Sequence, residues 1–191
     1  LFGDRESPPE AIVSVLASAQ SRDDRSRAIN HGPLLEYGQP WGTSPHLSRP
    51  LVYNWLITGE CPLRCVYCYA QDLMHGSVKE PDAMEIRATA KSILDCRPLT
   101  VVLTGGDPLS SAHLGLAIEQ LAGHCAIVVD TNGVQLTRDH IEVFSRHKVS
   151  VRISLDGETP AIGRLQRPSA DGQNSAPAAF RAICECLDAG V

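Results

Sequence analysis

No stretch of this 191-residue chain stays apolar for the roughly 18 residues that a bilayer-crossing helix needs, and no basic-then-apolar leader opens it. Positive charge is also scarce: 17 Lys and Arg stand against 22 Asp and Glu, a formal net charge of −5. Without a basic field, binding to nucleic acid or to an anionic membrane has no compositional basis, and a small or locally recognised substrate fits better. The seven cysteines lack a pairing pattern, since their number is odd and three of them crowd into residues 61 to 68. That spacing suits metal ligation rather than a disulfide framework, so a reducing, cytoplasmic setting is expected. What is present is a 43% hydrophobic content, which argues against disorder and for one domain with a sizeable core.

The first fifty residues read as an extension. "PPEAIVSVLASAQ" (8–20) is an amphipathic helix pattern with prolines at its start, and the following thirty residues are rich in turn formers and charge. From residue 51 the pattern becomes regular. "LVYNWLIT" (51–58), "LTVVLT" (99–104), "CAIVVDTNG" (125–133) and "VSVRISLDG" (149–157) are strand-like, and helices are expected over 81–96, over 110–122, from Thr137, and over 176–189 to a stop at Gly190. A loop with Pro160, Pro168 and "SADGQNS" is expected between the fourth strand and the last helix, whose Ile183, Leu187 and Val191 are expected to face the core. Four βα units in series imply a parallel sheet. "CPLRCVYC", "GGDP", "DTNG" and "SLDG" each fall at or just past a strand's carboxyl end, the face where βα proteins build their sites.

Cys61, Cys65 and Cys68 follow C-x3-C-x2-C spacing, and a loop of that length can turn three sulfurs toward one centre. Thiolates select zinc or iron–sulfur clusters. A structural zinc site wants four ligands, and here only His75 lies near without a companion. An electron-transfer cluster also wants four, and Cys96 and Cys125 stand far off in the sequence. Three ligands on a four-iron cluster leave one iron open to substrate or cofactor. The zinc-stabilised module and the electron-transfer protein remain the alternatives. Cys184 and Cys186, two apart on one helix, point to different sides and make a poor chelate. Trp41, Trp55, His31 and His113 have no partner pattern and read as packing or surface residues.

Cys61, Cys65, Tyr67 and Cys68, after a first strand, resemble the C-x3-C-x-aromatic-C signature of the radical S-adenosylmethionine (SAM) superfamily. The resemblance covers residues 51–191. It implies a partial (β/α)6 barrel with about four βα units present, cut before its last strands, and residues 1–50 as an N-terminal helical or irregular extension. It further implies a [4Fe-4S] cluster on the three cysteines, with SAM on the open iron. Reductive cleavage to a 5′-deoxyadenosyl radical and hydrogen abstraction from a substrate then follow as the expected chemistry.

The same resemblance assigns the remaining loops. "TGGDPL" is similar to the family's GGE motif for the SAM amino group, with Gly105 and Gly106 offering backbone and Asp107 standing where the longer glutamate is usual. "ISLDG" is similar to the fourth-strand segment that contacts the ribose or methionine part, with Ser154 first and Asp156 orienting the loop or binding. "GRLQRP" resembles the place of an arginine for the SAM carboxylate, at Arg167 or at Arg164, since a guanidinium presents paired donors to a carboxylate. Thr131 or Asn132 in "DTNG" would face the cofactor, and Tyr67 would line its pocket. The implied partners are a flavodoxin- or ferredoxin-type reductant and a peptide or small-molecule substrate, with a peptide-modifying or maturase type preferred on "CVYCYA", "SLDG" and Arg167.

Overall fold

Alternating apolar residues in four short segments decide the architecture, because a strand that alternates can bury only one face. The computed structural model of the chain describes residues 49–71, 80–157 and 160–191. The helix read over 8–20, the 1–50 extension up to residue 48, and Trp41, His31 and His75 lie outside the described residues. The strands are β1 (Val52–Thr58), β2 (Thr100–Gly105), β3 (Ala126–Thr131) and β4 (Ser150–Ile153). They pair in parallel in the order β1-β2-β3-β4. A strictly sequential parallel order is the topology of a barrel wall, unlike the reversal of a doubly wound sheet.

The helices between them are α1 (Ala83–Asp95), α2 (Leu114–Leu121) and α3 (Arg138–His147), and α4 (Pro160–Gln166) and α5 (Ala176–Ala189) follow β4. Trp55 and Ile57, Val101 and Leu103, and Ile127 and Val129 share one sheet face and bury it beneath Ile86, Ile93, Leu114, Ile118, Leu121 and Phe144 of the helices. Each such side chain contributes roughly 1.5–3 kcal/mol by leaving water. The alternate residues Val52 and Leu56 point to the opposite face and remain 53% and 45% exposed. Trp55 is therefore a core residue, and among the described residues the helical layer lies on one side of the sheet.

Local chemistry sets the helix ends. Asp82 caps α1 by accepting from Met84 and Glu85 amides, and the Glu85 carboxylate returns a bond to the Asp82 amide, a reciprocal capping box. Thr137 and His140 build the same device at α3. Gly190 ends α5 at φ 73°, a left-handed turn that glycine takes without steric cost.

Three expectations need correction. The segment after β2 forms a 3-10 turn at Pro108–Ser110 and the α-helix starts only at Leu114, because Asp107 caps the short turn through the Leu109 amide. The loop expected after β4 contains α4, which begins at Pro160; proline at a helix start loses no hydrogen bond. Finally, α5 buries Ala176, Ala179, Ala182 and Cys186, whereas Ile183 and Leu187 are half-buried. Small residues face inward there because the helix crosses close to the β3 turn: a Cβ on Gly133 would stand 2.8 Å from the Ala182 Cβ.

Candidate cofactor site

The cysteine loop leaves β1 through Gly59 and Glu60 and returns across the carboxyl ends of the strands. Two glycines make its path possible. The Gly106 amide donates to Thr58 O at 2.8 Å, and the Asp107 amide to Glu60 O at 2.7 Å. A Cβ on Gly106 would lie 2.2 Å from Glu60 O, and one on Gly105, at φ 130°, would lie 2.4 Å from Thr58 O. Only hydrogen fits at either position. The far side of the loop is zipped to the segment after α4: Arg64 N–H donates to Pro168 O at 2.7 Å, Val66 N–H to Gln166 O at 3.0 Å, and Ala170 N–H to Pro62 O at 3.1 Å. Leu63, 1% exposed, plugs the loop into the interior.

Asp107 is engaged within the protein on several sides. The carboxylate is buried and already receives Thr131 Oγ1 on both oxygens (2.8 and 2.9 Å), the Asn132 amide at 2.6 Å and the Leu109 amide at 3.0 Å. Burial raises its pKa above the usual carboxylate value, opposed by these donors. It ties the β2 loop to the β3 turn and also borders the cavity above them.

A cavity of about 380 Å³ opens above this brace. Its walls include Cys61, Cys65, Cys68 and Tyr67 from the loop, Gly105 and Gly106 after β2, Asn132 after β3, Ser154 after β4, and Arg167 beyond α4. Asn132 directs its amide Nδ2 to within 3.7 Å of Cys61 Sγ. The Ser154 amide continues the sheet by donating to Thr131 O at 2.9 Å, which leaves its side chain at the rim. Asp156 receives both the Tyr67 hydroxyl and Arg167 Nε, the latter at 2.8 Å. Arg164 lies exposed on α4 and is not part of the wall, so the two arginines are told apart by position.

Residues that the motifs did not single out also line the cavity: Tyr69, Thr104, Asp130 and Arg152. Asp130 and Arg152 are register partners on β3 and β4, and they form a two-point ion pair whose Nη2–Oδ2 contact is 2.6 Å. Their signal in the sequence is a charge inside each of two otherwise uncharged strands.

The three thiols form a soft donor set, suited to iron–sulfur or zinc chemistry. Burial pushes Cys61 up to about 11, with Asp107 and the neighbouring thiols acting in the same direction. Burial also raises Cys65, opposed by the Arg167 guanidinium. Metal binding at these sulfurs must therefore displace protons. Among the described residues no three His, Cys, Asp or Glu side chains converge on a point where one ion would sit. A four-iron cluster makes a different demand, a separate thiolate for each of three irons, and three separate thiols around one cavity meet it. Cys96 and Cys125 lie at the opposite, amino-terminal ends of the strands, next to β2 and β3, and are not in the wall, which removes them as a fourth ligand. Among the described residues no helix is long and apolar enough to cross a membrane.

Known proteins match this arrangement. A GTP 3′,8-cyclase of Pseudomonas savastanoi pv. phaseolicola is 32% identical over 108 residues, covering 54% of this chain and 32% of its own. In three dimensions the chain is similar to Streptococcus suis SuiB bound to precursor peptide SuiA, with a TM-score of 0.65, 16% identity, and coverage of 75% of this chain and 32% of that one. It is also similar to anSMEcpe with bound AdoMet and a peptide, with a TM-score of 0.61, 20% identity, and coverage of 74% and 41%. The likeness establishes a partial α/β barrel of alternating parallel strands and helices. The chain spans 32% to 42% of the length of the first curated relatives it matches. The family model for the radical SAM superfamily matches residues 55–191, from the core tryptophan of β1 to the last residue, and the chain belongs to that superfamily.

Proposed function

We propose that this chain is the core of a radical SAM enzyme, with residues 51–191 as the catalytic unit and residues 1–50 as an extension. Cys61, Cys65 and Cys68 would hold a [4Fe-4S] cluster, and the cavity beside them would take SAM. The observation that carries this reading is that all three thiols border one cavity whose other walls are the strand-end loops of β2, β3 and β4. When bound and reduced, cluster and SAM together supply a 5′-deoxyadenosyl radical for hydrogen abstraction.

The chain's own residues do the positioning. Gly105 and Gly106 let the cysteine loop close over the sheet, and Asp107 holds the turns of β2 and β3 together, so the wall facing SAM is rigid. Asn132 and Arg167 bring N–H donors toward Cys61 and Cys65, favouring the thiolate form that iron requires. Tyr67 and Ser154, in the cavity wall, would offer a ring and a hydroxyl to the adenosine and methionine parts of SAM, and Asp156, which is not in the wall, would orient Tyr67 and Arg167 behind it. A flavodoxin- or ferredoxin-type protein is the proposed electron donor, in a reducing cytoplasm that keeps the loop thiols free.

A peptide is the substrate class we favour, supported by the peptide complexes of SuiB and anSMEcpe. The GTP 3′,8-cyclase relatives favour a purine nucleotide as the second reading. The decisive test is electron paramagnetic resonance (EPR) of the anaerobically reconstituted, reduced chain with and without SAM. A cluster signal that changes shape with SAM is expected, together with 5′-deoxyadenosine formation that Cys65→Ala abolishes. Undiminished 5′-deoxyadenosine from Cys65→Ala would sink the assignment. Release of 5′-deoxyadenosine stimulated by GTP and by no peptide would reverse the choice of substrate class.

A further inference from the structure

Arg167 is held through its backbone, its Nε and one face of its guanidinium. Its backbone is pinned at both ends, the amide donating to Gly163 O at 2.8 Å and the carbonyl accepting Ser175 Oγ at 2.7 Å. Its Nε donates to Asp156 Oδ2, with the two side chains only 18% and 20% exposed. The same oxygen receives the Tyr67 hydroxyl, and the guanidinium lies over the Tyr67 ring, 5.3 Å from its centroid. Its Nη1 is directed at Cys65 Sγ, at 4.0 Å. Tyr67 comes from the cysteine loop and Asp156 from the turn after β4, so the clamp bridges two elements far apart in sequence.

We propose that Tyr67 and Asp156 are positioning residues that aim Arg167 at the Cys65 sulfur, and that Arg167 thereby sets the reduction potential of the cluster. The inference rests on the function reading above. Donors to a cluster's sulfurs and nearby positive charge stabilise its more negative, reduced state and raise the potential. Two variants separate positioning from plain electrostatics by sign. Removing the negative charge of Asp156 should, by Coulomb's law alone, raise the potential; if Asp156 works by aiming Arg167, Asp156→Asn lowers it. Tyr67→Phe changes no charge and keeps the ring, so Coulomb's law alone predicts no shift, whereas loss of aim lowers the potential.

The test is an EPR-monitored dithionite titration of the reconstituted full chain without SAM, with iron and sulfide content measured for each variant. The expected result is a lower midpoint potential for Arg167→Gln, Asp156→Asn and Tyr67→Phe, with Asp156→Glu returning toward wild type. Adding Asp156→Asn to Arg167→Gln should give no further decrease, because both act through one contact. A raised potential in Asp156→Asn, or an unshifted one in Tyr67→Phe, overturns the proposal. A wild-type chain that takes up no iron and sulfide overturns the function reading itself, a result that the iron assay tells apart from the other two.

Discussion

Replacing Gly106 with alanine tests whether the glycines after β2 serve the cofactor or the chain. The added Cβ would stand 2.2 Å from Glu60 O, 2.6 Å from Glu60 C and 2.9 Å from Gly59 C, all of them backbone atoms that no rotamer change can move aside. The cysteine loop would have to lift from the sheet. That motion breaks the Gly106 N–Thr58 O and Asp107 N–Glu60 O bonds, at 2.8 and 2.7 Å. Each bond contributes roughly 0.5–1.5 kcal/mol net, and forcing a methyl group into a filled space costs roughly 1–3 kcal/mol. A loss of about 2–6 kcal/mol is expected on these two grounds, a large share of a small domain's stability. Urea unfolding followed by circular dichroism measures it as a lower midpoint at constant slope. Gly115→Ala in α2, where a Cβ meets nothing within 4 Å, is the control; it should be neutral or stabilising by up to about 1 kcal/mol. Iron uptake by Gly106→Ala should fall together with stability, since the displaced segment leads directly into Cys61. A Gly106→Ala chain with wild-type urea stability that fails only in SAM binding would refute the close-packing argument and return the glycines to a ligand-contact role.

The Thr131 hydroxyl serves both oxygens of the buried Asp107, so Thr131→Val, which keeps the shape and removes the donor, should cost about 1.5–3 kcal/mol in urea unfolding. Thr131→Ser should recover most of it, and a Val variant within about 0.5 kcal/mol of wild type would show the brace to be dispensable. His140 supplies a different handle, because burial lowers its pKa below the usual imidazole value of about 6.5, opposed by Asp139 and by the Gln135 backbone. A depressed folded pKa means that the unfolded chain takes up the proton first, so stability is intact above about 6.5 and is lost as pH falls toward the lower folded value. The protonated ring also loses the Nδ1 acceptor that faces the Thr137 amide at 3.3 Å. Midpoints measured between pH 7.5 and 5 should therefore drop for the wild type and drop less for His140→Gln, which can keep the capping-box acceptor uncharged; parallel profiles for the two would contradict the assignment.

Asp107 illustrates how a motif and its surroundings divide a residue's role. Read from "GGDP", the carboxylate belongs to the cofactor; in the fold it meets three amide and hydroxyl donors from its own turn and from Thr131 and Asn132. A shorter side chain than glutamate reaches less far into the cavity and is captured by the adjacent turn. Asp107 still borders the cavity, together with Gly105, Gly106, Ser154 and Arg167.

Local chemistry was sufficient for a good part of this protein. Strand-length alternation and strand-end turns are legible because burial of one face forces a period of two, and Trp55, Ile57, Leu103 and Val129 follow it into the core. The three closely spaced thiols and the paired glycines are legible for a similar reason: their chemistry demands those residue types within a few positions. Contacts across long separations were decided only in three dimensions. The zipper between residues 62–66 and 166–170, the Asp130–Arg152 pair, the placement of Arg167 in the cavity wall, and the clamp of Tyr67 on Asp156 each join segments whose meeting depends on how the strands register and how α4 ends. The inward face of α5 belongs with them, because the close approach of the β3 turn to Ala179 and Ala182 selects the small-residue stripe of the helix and leaves Ile183 and Leu187 half-buried. Sequence spacing carries the period of an element and the donors within one loop; which loops converge is a property of the folded sheet.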